Sequence, residues 1–266
     1  MRNVASARIW YQSFTDPDAD RAYFTRLQEY LGSVASPGVQ VAVSGTRPGS
    51  RYPHPITEFR CAAQVIANAL TAEQEGYDAF VIGHFQEAGL AEARSAVAIP
   101  VIGLGEATML HACTLGRKIG LVATSPVFIP HLEAQIARHG LQQRVIAVQA
   151  VQPEPGQFNR AFDDEDEYQS VREAFAAAAQ PMLGLGIDVI IHAGGYPMVL
   201  FTREPSSGIG GATVLNGLPV TVAAAETAIR LSRLNGTGTS RRASYALPPS
   251  EAVTEFRSAF TTARSV

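Results

Sequence analysis

The chain has 266 residues, 46% of them hydrophobic and 17% charged, and carries a net charge of −3. That balance supports a real core and argues against a disordered chain or a nucleic-acid-binding surface. Two cysteines, Cys61 and Cys113, are too few for a disulfide framework or a zinc set, and each sits in a helical pattern as a small packing residue. The opening MRNVASARIWYQ lacks the apolar core of a secretion signal. No run approaches the ~20 apolar residues that span a bilayer. The expectation is a cytoplasmic protein without membrane partners.

In chain order, Arg8–Phe14 reads as a first strand and Asp18–Leu31 as a helix with apolar residues near helical spacing. Val39–Val43 alternates as a strand, and Gly45–Pro55 is a Gly- and Pro-rich loop. Ile56–Glu75 is a long helix with Thr57 as its expected cap. Ala79–Ile82 is a short buried strand ending at Gly83 and His84, followed by a helical stretch over Glu87–Ala96. Ile99–Ile102 is a strand and Glu106–Leu115 a helix. Lys118–Ala123 is a strand that empties into Thr124, Ser125 and Pro126. Helix Val127–His139 stops at Gly140, and Val145–Val148 is a strand.

The second part opens with an irregular stretch, Gln152–Asp166, whose DDED run reads as a solvated loop feeding helix Glu167–Leu185. A strand follows within Gly186–Gly195, then a Gly- and Ser-rich segment, Pro205–Gly217, long enough to suggest a lid. Helix Ala223–Leu234, a link over Gly236–Arg242 and a terminal helix Ser250–Ala263 complete the chain. The last helix is expected to pack on its own domain or on a partner subunit of a homo-oligomer.

Two stretches repeat. GYDAFVIGHF from Gly76 aligns with GIDVIIHAGG from Gly186, at an offset of 110 (186 − 76), pairing His84 with Gly194. Further on, Ile99–Gly116 answers Leu218–Gly236 at an offset near 119 (218 − 99), each read as a short strand after Pro and an alanine-rich helix. The chain therefore divides into two related α/β halves with strand order near 2-1-3-4 in each. Residues 1–116 plus 223–266 would form the first half and residues 117–222 the second.

In open α/β sheets ligands sit at the carboxyl ends of strands. Those ends carry Ser13, then His84 with Phe85 and Glu87 behind it, then Thr124 and Ser125, then His192 to Tyr196. His84 has a side chain suited to proton transfer at neutral pH. His192, two residues before Gly194, would point the same way if the strand continues. Glu87 could orient His84, and Tyr196 could close the site. Gly83, Gly194 and Gly195 let backbone approach a ligand and leave amides free to donate. Ser125 before Pro126 also has the form of a helix cap. His54, His111, His131 and His139 show no metal spacing, and no strand is followed by GxGxxG, which argues against a dinucleotide cofactor.

The stretches EGYDAFVIGHFQEAGLAEAR, IPVIGLGEATMLHACTLG, KIGLVATS, GIDVIIHAGG and NGLPVTVAAAETAIRLSRL resemble the aspartate/glutamate racemase superfamily, and within it the hydantoin (allantoin) racemase branch. The resemblance covers most of Arg8 to Leu234. It implies two Rossmann-like (flavodoxin-like) α/β halves related by a pseudo-two-fold axis, with the active site between them. It also implies that Thr124 and Ser125 hold a substrate carboxylate or ring carbonyl. The family's racemases place one cysteine at each focal strand end, whereas here His84 and Gly194 stand there. Neither Cys61 nor Cys113 matches those positions.

The expectation is thus a cofactor-free, metal-free enzyme acting on a small carboxylate or cyclic amide through His84, with His192 as the only further base. Ring-opening hydrolysis or decarboxylation on the same fold, or a non-catalytic binding protein that kept the cleft, are the alternatives.

Overall fold

The computed structural model describes residues 6–50, 52, 54–204 and 208–261. Two four-stranded parallel sheets form its frame. The first has the order β2-β1-β3-β4 and the second β6-β5-β7-β8, so the 2-1-3-4 pattern occurs twice. The strands are β1 Ala7–Gln12, β2 Val39–Ser44, β3 Ala79–Ile82, β4 Val101–Gly103, β5 Ile119–Ala123, β6 Val145–Ala150, β7 Val189–Ala193 and β8 Thr213–Leu215. Central strands β3, β5 and β7 are buried along their whole length, as helices on both faces of a parallel sheet require. β3 and β7, the repeated pair, belong to different sheets.

The helices are α1 Arg21–Val34, α2 Pro55–Gln74, α3 Leu90–Ala96, α4 Leu104–Leu115, α5 Ile129–Arg138, α6 Gln157–Arg160, α7 Glu165–Leu183, α8 Gly195–Leu200, α9 Gly217–Asn235 and α10 Ser250–Thr261. Their ends follow local chemistry. Asp164 accepts from the amides of Asp166 and Glu167, so the DDED run supplies both the cap and the acidic first turn of α7. Gly236, at φ 73°, closes α9 in the left-handed conformation.

Several boundaries differ from the sequence reading. His54, not Thr57, caps α2, its ring nitrogen accepting from the Ile56 amide at 3.3 Å. α3 starts at Leu90 rather than Glu87, because Glu87 (φ 57°) and Gly89 (φ 89°) hold left-handed turns before it. A 3-10 turn over Pro126–Phe128 precedes α5, and the irregular stretch after β6 contains α6.

The largest difference concerns the second repeat. Leu218–Val222 is the first turn of α9 and not a strand. Asn216 accepts from the Leu218 amide, and Pro219 sits near the helix start, where a missing N–H costs nothing. The strand equivalent to β4 is β8, so the offset between their starts is 112 (213 − 101) rather than 119. β-branched residues made this stretch look extended. Burial of Leu218, Thr221, Val222 and Ala225 outweighs that preference.

α9 leaves the second sheet and packs along α4, α1, β3 and β4. Beyond it, the Arg241 guanidinium donates to the carbonyls of Arg94, Val97 and Tyr245, which ties the link to α3. Val253 and Phe256 of α10 pack on the cluster around Phe14, Cys61, Val65 and Phe80. Arg51, Pro53, Pro205, Ser206, Ser207, Thr262 and Ala263 of the expected loop, lid and terminal helix lie outside the described residues.

Candidate active site

The carboxyl ends of β1, β3, β5 and β7 surround one cleft of about 670 Å³. Ser13, His84, Thr124, Ser125, Gly194, Gly195 and Tyr196 all line it. The two sheets meet closely here, since a Cβ built on Gly195 would lie 3.5 Å from the Gly83 carbonyl oxygen. Gly83 itself must be glycine, because a Cβ there would fall 2.0 Å from the Tyr11 ring.

His84 is held on three sides. Its ring lies flat on Phe14, with centroids 4.2 Å apart and planes 1° from parallel, and meets Phe128 edge-on at 6.2 Å. Its Nδ1 is buried and lies 3.5 Å from Glu58 Oε2, an ion-pair distance whose alignment falls short of a hydrogen bond. Burial pulls the imidazole below its ordinary pKa; Glu58 and Glu87 oppose that shift, and His131 adds to it. The ring is therefore neutral at pH 7 and available as a base.

Phe85 and Glu87 are not in the cleft wall. Phe85 is a fully buried core residue whose carbonyl accepts from Gln135. The Glu87 carboxylate points behind the site, where it accepts from the Glu106 amide (2.6 Å) and Gln135 Nε2 (2.8 Å), and lies 3.2 Å from His139 Nε2. Glu106 in turn pairs with Arg94. Glu87 thus links the loop after β3 to α5 of the other half.

The rest of the wall, from both halves, is built of hydroxyls, phenols, glycine backbone and the carboxylates Asp16, Asp20 and Glu154. Ser13 Oγ lies 3.0 Å from Thr15 Oγ1 and 3.3 Å from the Tyr23 hydroxyl. Ser125 accepts from the Val127 amide, so it caps the 3-10 turn and lines the cleft together. Tyr196 packs on Tyr23 at 4.8 Å, beside the Asn159 amide that donates to Asp20. Burial pushes the Tyr23 phenol up to about 12 and raises Tyr196 further, so both keep their protons; Tyr23 accepts from Ser13, which leaves its own proton to give. The Gly194 amide is already bound to the His192 carbonyl (2.9 Å), which leaves Gly195 as the glycine amide at the first position of α8.

His192 does not face this cleft. The Gly194 N–H bond to the His192 carbonyl turns the chain right after β7, so the alternation that would have placed both on one side does not carry through. The His192 ring sits between Phe175 (4.8 Å) and Phe201 (4.7 Å) and lines a second cavity of about 640 Å³. Burial lowers it to about 4. Gly208 and Ile209 of the expected lid segment also line that second cavity, and none of the segment's described residues lines the cleft.

Sequence reasoning missed Glu58 and Gln86. Gln86 lines the cleft, and its buried Nε2 has no partner among the described residues. Their only signal in the sequence was position, since Gln86 lies two residues after His84 and Glu58 reads as an ordinary helix-start acid. Among the described residues, no group of three His, Cys, Asp or Glu side chains could hold a metal ion.

Two parallel α/β sheets with a cleft at their facing carboxyl ends define a two-lobed α/β enzyme architecture of the racemase type. A profile of the Asp/Glu/Hydantoin racemase family matches residues 14–225, and the chain belongs to that family of enzymes. Hydantoin racemase from Rhizobium meliloti is 31% identical over 87 residues, a segment that spans 33% of this chain and only 36% of the relative. Allantoin racemase from Klebsiella pneumoniae shares the fold with a TM-score of 0.76 at 24% identity, over 91% of this chain and 94% of that one. Allantoin racemase from Pseudomonas fluorescens gives 0.75 at 22% identity, over 91% and 97%.

Proposed function

We propose that the protein is a cofactor-free enzyme that moves a proton on a small cyclic amide or carboxylate related to hydantoin, with His84 as its single acid–base group. The observation that carries this reading is the asymmetry of the cleft. One strand end presents a neutral imidazole, and the facing end presents the backbone of Gly194 and Gly195, followed by a phenol, Tyr196, that keeps its proton. The cysteines used by the family's racemases are replaced in this reading by His84 and Gly194. Cys61 is buried in α2 and Cys113 lies in α4, and neither lines the cleft.

A ring carbonyl or carboxylate would accept hydrogen bonds from the Thr124 and Ser125 hydroxyls, which would set the acidic carbon against the accessible edge of His84. His84 takes the proton, and the electron pair moves onto the carbonyl oxygen as an enolate. The Gly195 amide and the protonated phenol of Tyr23 stabilise the developing oxyanion. With His192 outside the cleft, the end of β7 supplies no imidazole or thiol for the other face of the carbon; the carboxylates that line the cleft, Asp16, Asp20 and Glu154, belong to the loops after β1 and β6. The chemistry is then a one-base enolisation, suited to isomerisation or decarboxylation, rather than two-base racemisation.

The test is exchange of the acidic proton for deuterium, followed by NMR, across hydantoins, cyclic imides and substituted malonates. The wild-type protein should exchange one of these with its configuration retained, and His84→Ala should slow exchange by about 10²–10⁴-fold while still binding the compound. Inversion as fast as exchange would overturn the one-base reading. Full activity in His84→Ala would remove His84 from the chemistry.

A further inference from the structure

Glu58 is a buried carboxylate with no evident structural task. It stands in the first turn of α2, only 7% exposed, and neither of its oxygens has a hydrogen-bond partner among the described residues. Burying an ionised carboxylate is costly unless a donor compensates it. The nearest such group is His84 Nδ1, at 3.5 Å from Oε2, and that nitrogen is itself buried and unpartnered. Two orphaned polar groups therefore face each other, on the side of the imidazole turned away from the cleft.

We propose that Glu58 is the positioning residue of His84. It accepts the Nδ1 proton, and so fixes the tautomer in which the Nε2 lone pair is presented to the substrate. The inference rests on the reading of His84 as the acid–base group. Phe14 sets the plane of the ring, since flat stacking at 4.2 Å leaves the half-turn about Cβ–Cγ, which exchanges the two ring edges, as the remaining freedom. A carboxylate at Nδ1 removes that freedom. Hydrogen bonds of this kind are often loose in the unliganded protein and tighten when substrate binds.

The proton count is simple. Substrate gives one proton to Nε2, Nδ1 keeps its own, and the resulting imidazolium faces the Glu58 carboxylate. Three ionisable groups act on His84 from the elements around it: Glu58 from α2, Glu87 from the loop after β3, and His131 from α5. Glu87 is already bound to the Glu106 amide and Gln135 and lies beside His139, while His131 opposes the imidazolium. Glu58 is thus the carboxylate free to answer the charge that forms.

The experiment compares Glu58→Gln, Glu58→Asp and Glu58→Ala with wild type. It uses ¹⁵N NMR of the histidines, with the His84 signal assigned by its loss in His84→Ala, together with kcat and KM on the substrate found by proton exchange. The wild-type ring should carry its proton on Nδ1. In Glu58→Gln, which keeps the shape, His84 should titrate about one pH unit lower and kcat should fall about tenfold with KM unchanged. Glu58→Ala should lose the Nδ1 tautomer as well, and Glu58→Asp should recover part of kcat. An Nε2–H tautomer in the wild type would overturn the inference. So would an unchanged titration and kcat in Glu58→Gln while His84→Ala is inactive. An active His84→Ala would instead bring down the reading on which the inference rests, whatever the NMR shows.

Discussion

The ends of β3 and β7 are equivalent by repeat and opposite in equipment. After β3 the chain carries His84, Gln86 and Glu87, with Glu58 brought in from α2; Glu87 is held by polar partners, His84 by aromatic rings, and Glu58 and Gln86 are buried. After β7 it carries Gly194, Gly195 and the protonated phenol Tyr196, while the imidazole within the strand, His192, turns into an apolar box of Phe175 and Phe201. The same topology thus delivers a proton-handling group at one end and glycine backbone at the other. Fold symmetry does not impose chemical symmetry; a few side chains at strand ends decide it.

The largest effect expected from breaking this comparison lies behind the β3 end. Glu87→Ala removes a buried carboxylate that three groups from α4 and α5 surround, and should cost about 3–5 kcal/mol in urea unfolding. Glu87→Gln should cost clearly less. Equal, small losses for both would mean that this link between the halves carries no weight.

At the β7 end the next effect depends on pH. The folded-state His192 pKa of about 4 lies below the ordinary 6.5. Between those values the unfolded chain binds a proton that the folded chain refuses, so stability should fall as pH drops from 6.5 towards 4. The loss is about 3 kcal/mol at most, and His192→Leu should flatten it. Urea midpoints measured at pH 7.5, 5.5 and 4.5 would show this, and an unchanged slope in His192→Leu would place the titration elsewhere.

Gly194→Ala is a smaller test. Its Cβ would meet the Thr124 methyl at 2.4 Å, and the variant should lose about 1–3 kcal/mol and weaken substrate binding. The smallest effect concerns the thiols. Burial holds the Cys61 thiol protonated, and neither cysteine lines the cleft, so iodoacetamide and the double change Cys61→Ala, Cys113→Ala should leave turnover at the wild-type value. Inactivation by alkylation would mean that the two strand ends are not the centre of the chemistry.

Most of the frame was legible because buried parallel strands announce themselves as short, branched apolar runs such as Ala79–Ile82 and Val189–Ile191. The cleft wall at Ser13, His84, Thr124, Ser125 and Gly195 followed from the strand-end rule alone. What failed were inferences that extended a local pattern past a turn. Leu218–Val222 looked extended until an Asn cap and burial made it helix, and His192 seemed to share a side with Gly194 until the backbone bent between them. Glu58 was illegible for a different reason. Its partner lies 26 positions later (84 − 58), and only the packing of α2 beside β3 brings the two together.

The methyl group of Thr124 has a consequence for how this cleft can change. Any side chain introduced at position 194 collides with it, and threonine, stiff about its first torsion, yields little room. A thiol opposite His84 is therefore reached at least cost in a set order, with Thr124 trimmed to serine before Gly194 becomes cysteine. Taken in that order, the methyl is gone before the new Cβ arrives; reversed, the first step meets the clash before the second relieves it. One methyl thus acts as a ratchet that makes the bare glycine end easier to keep than to refurnish.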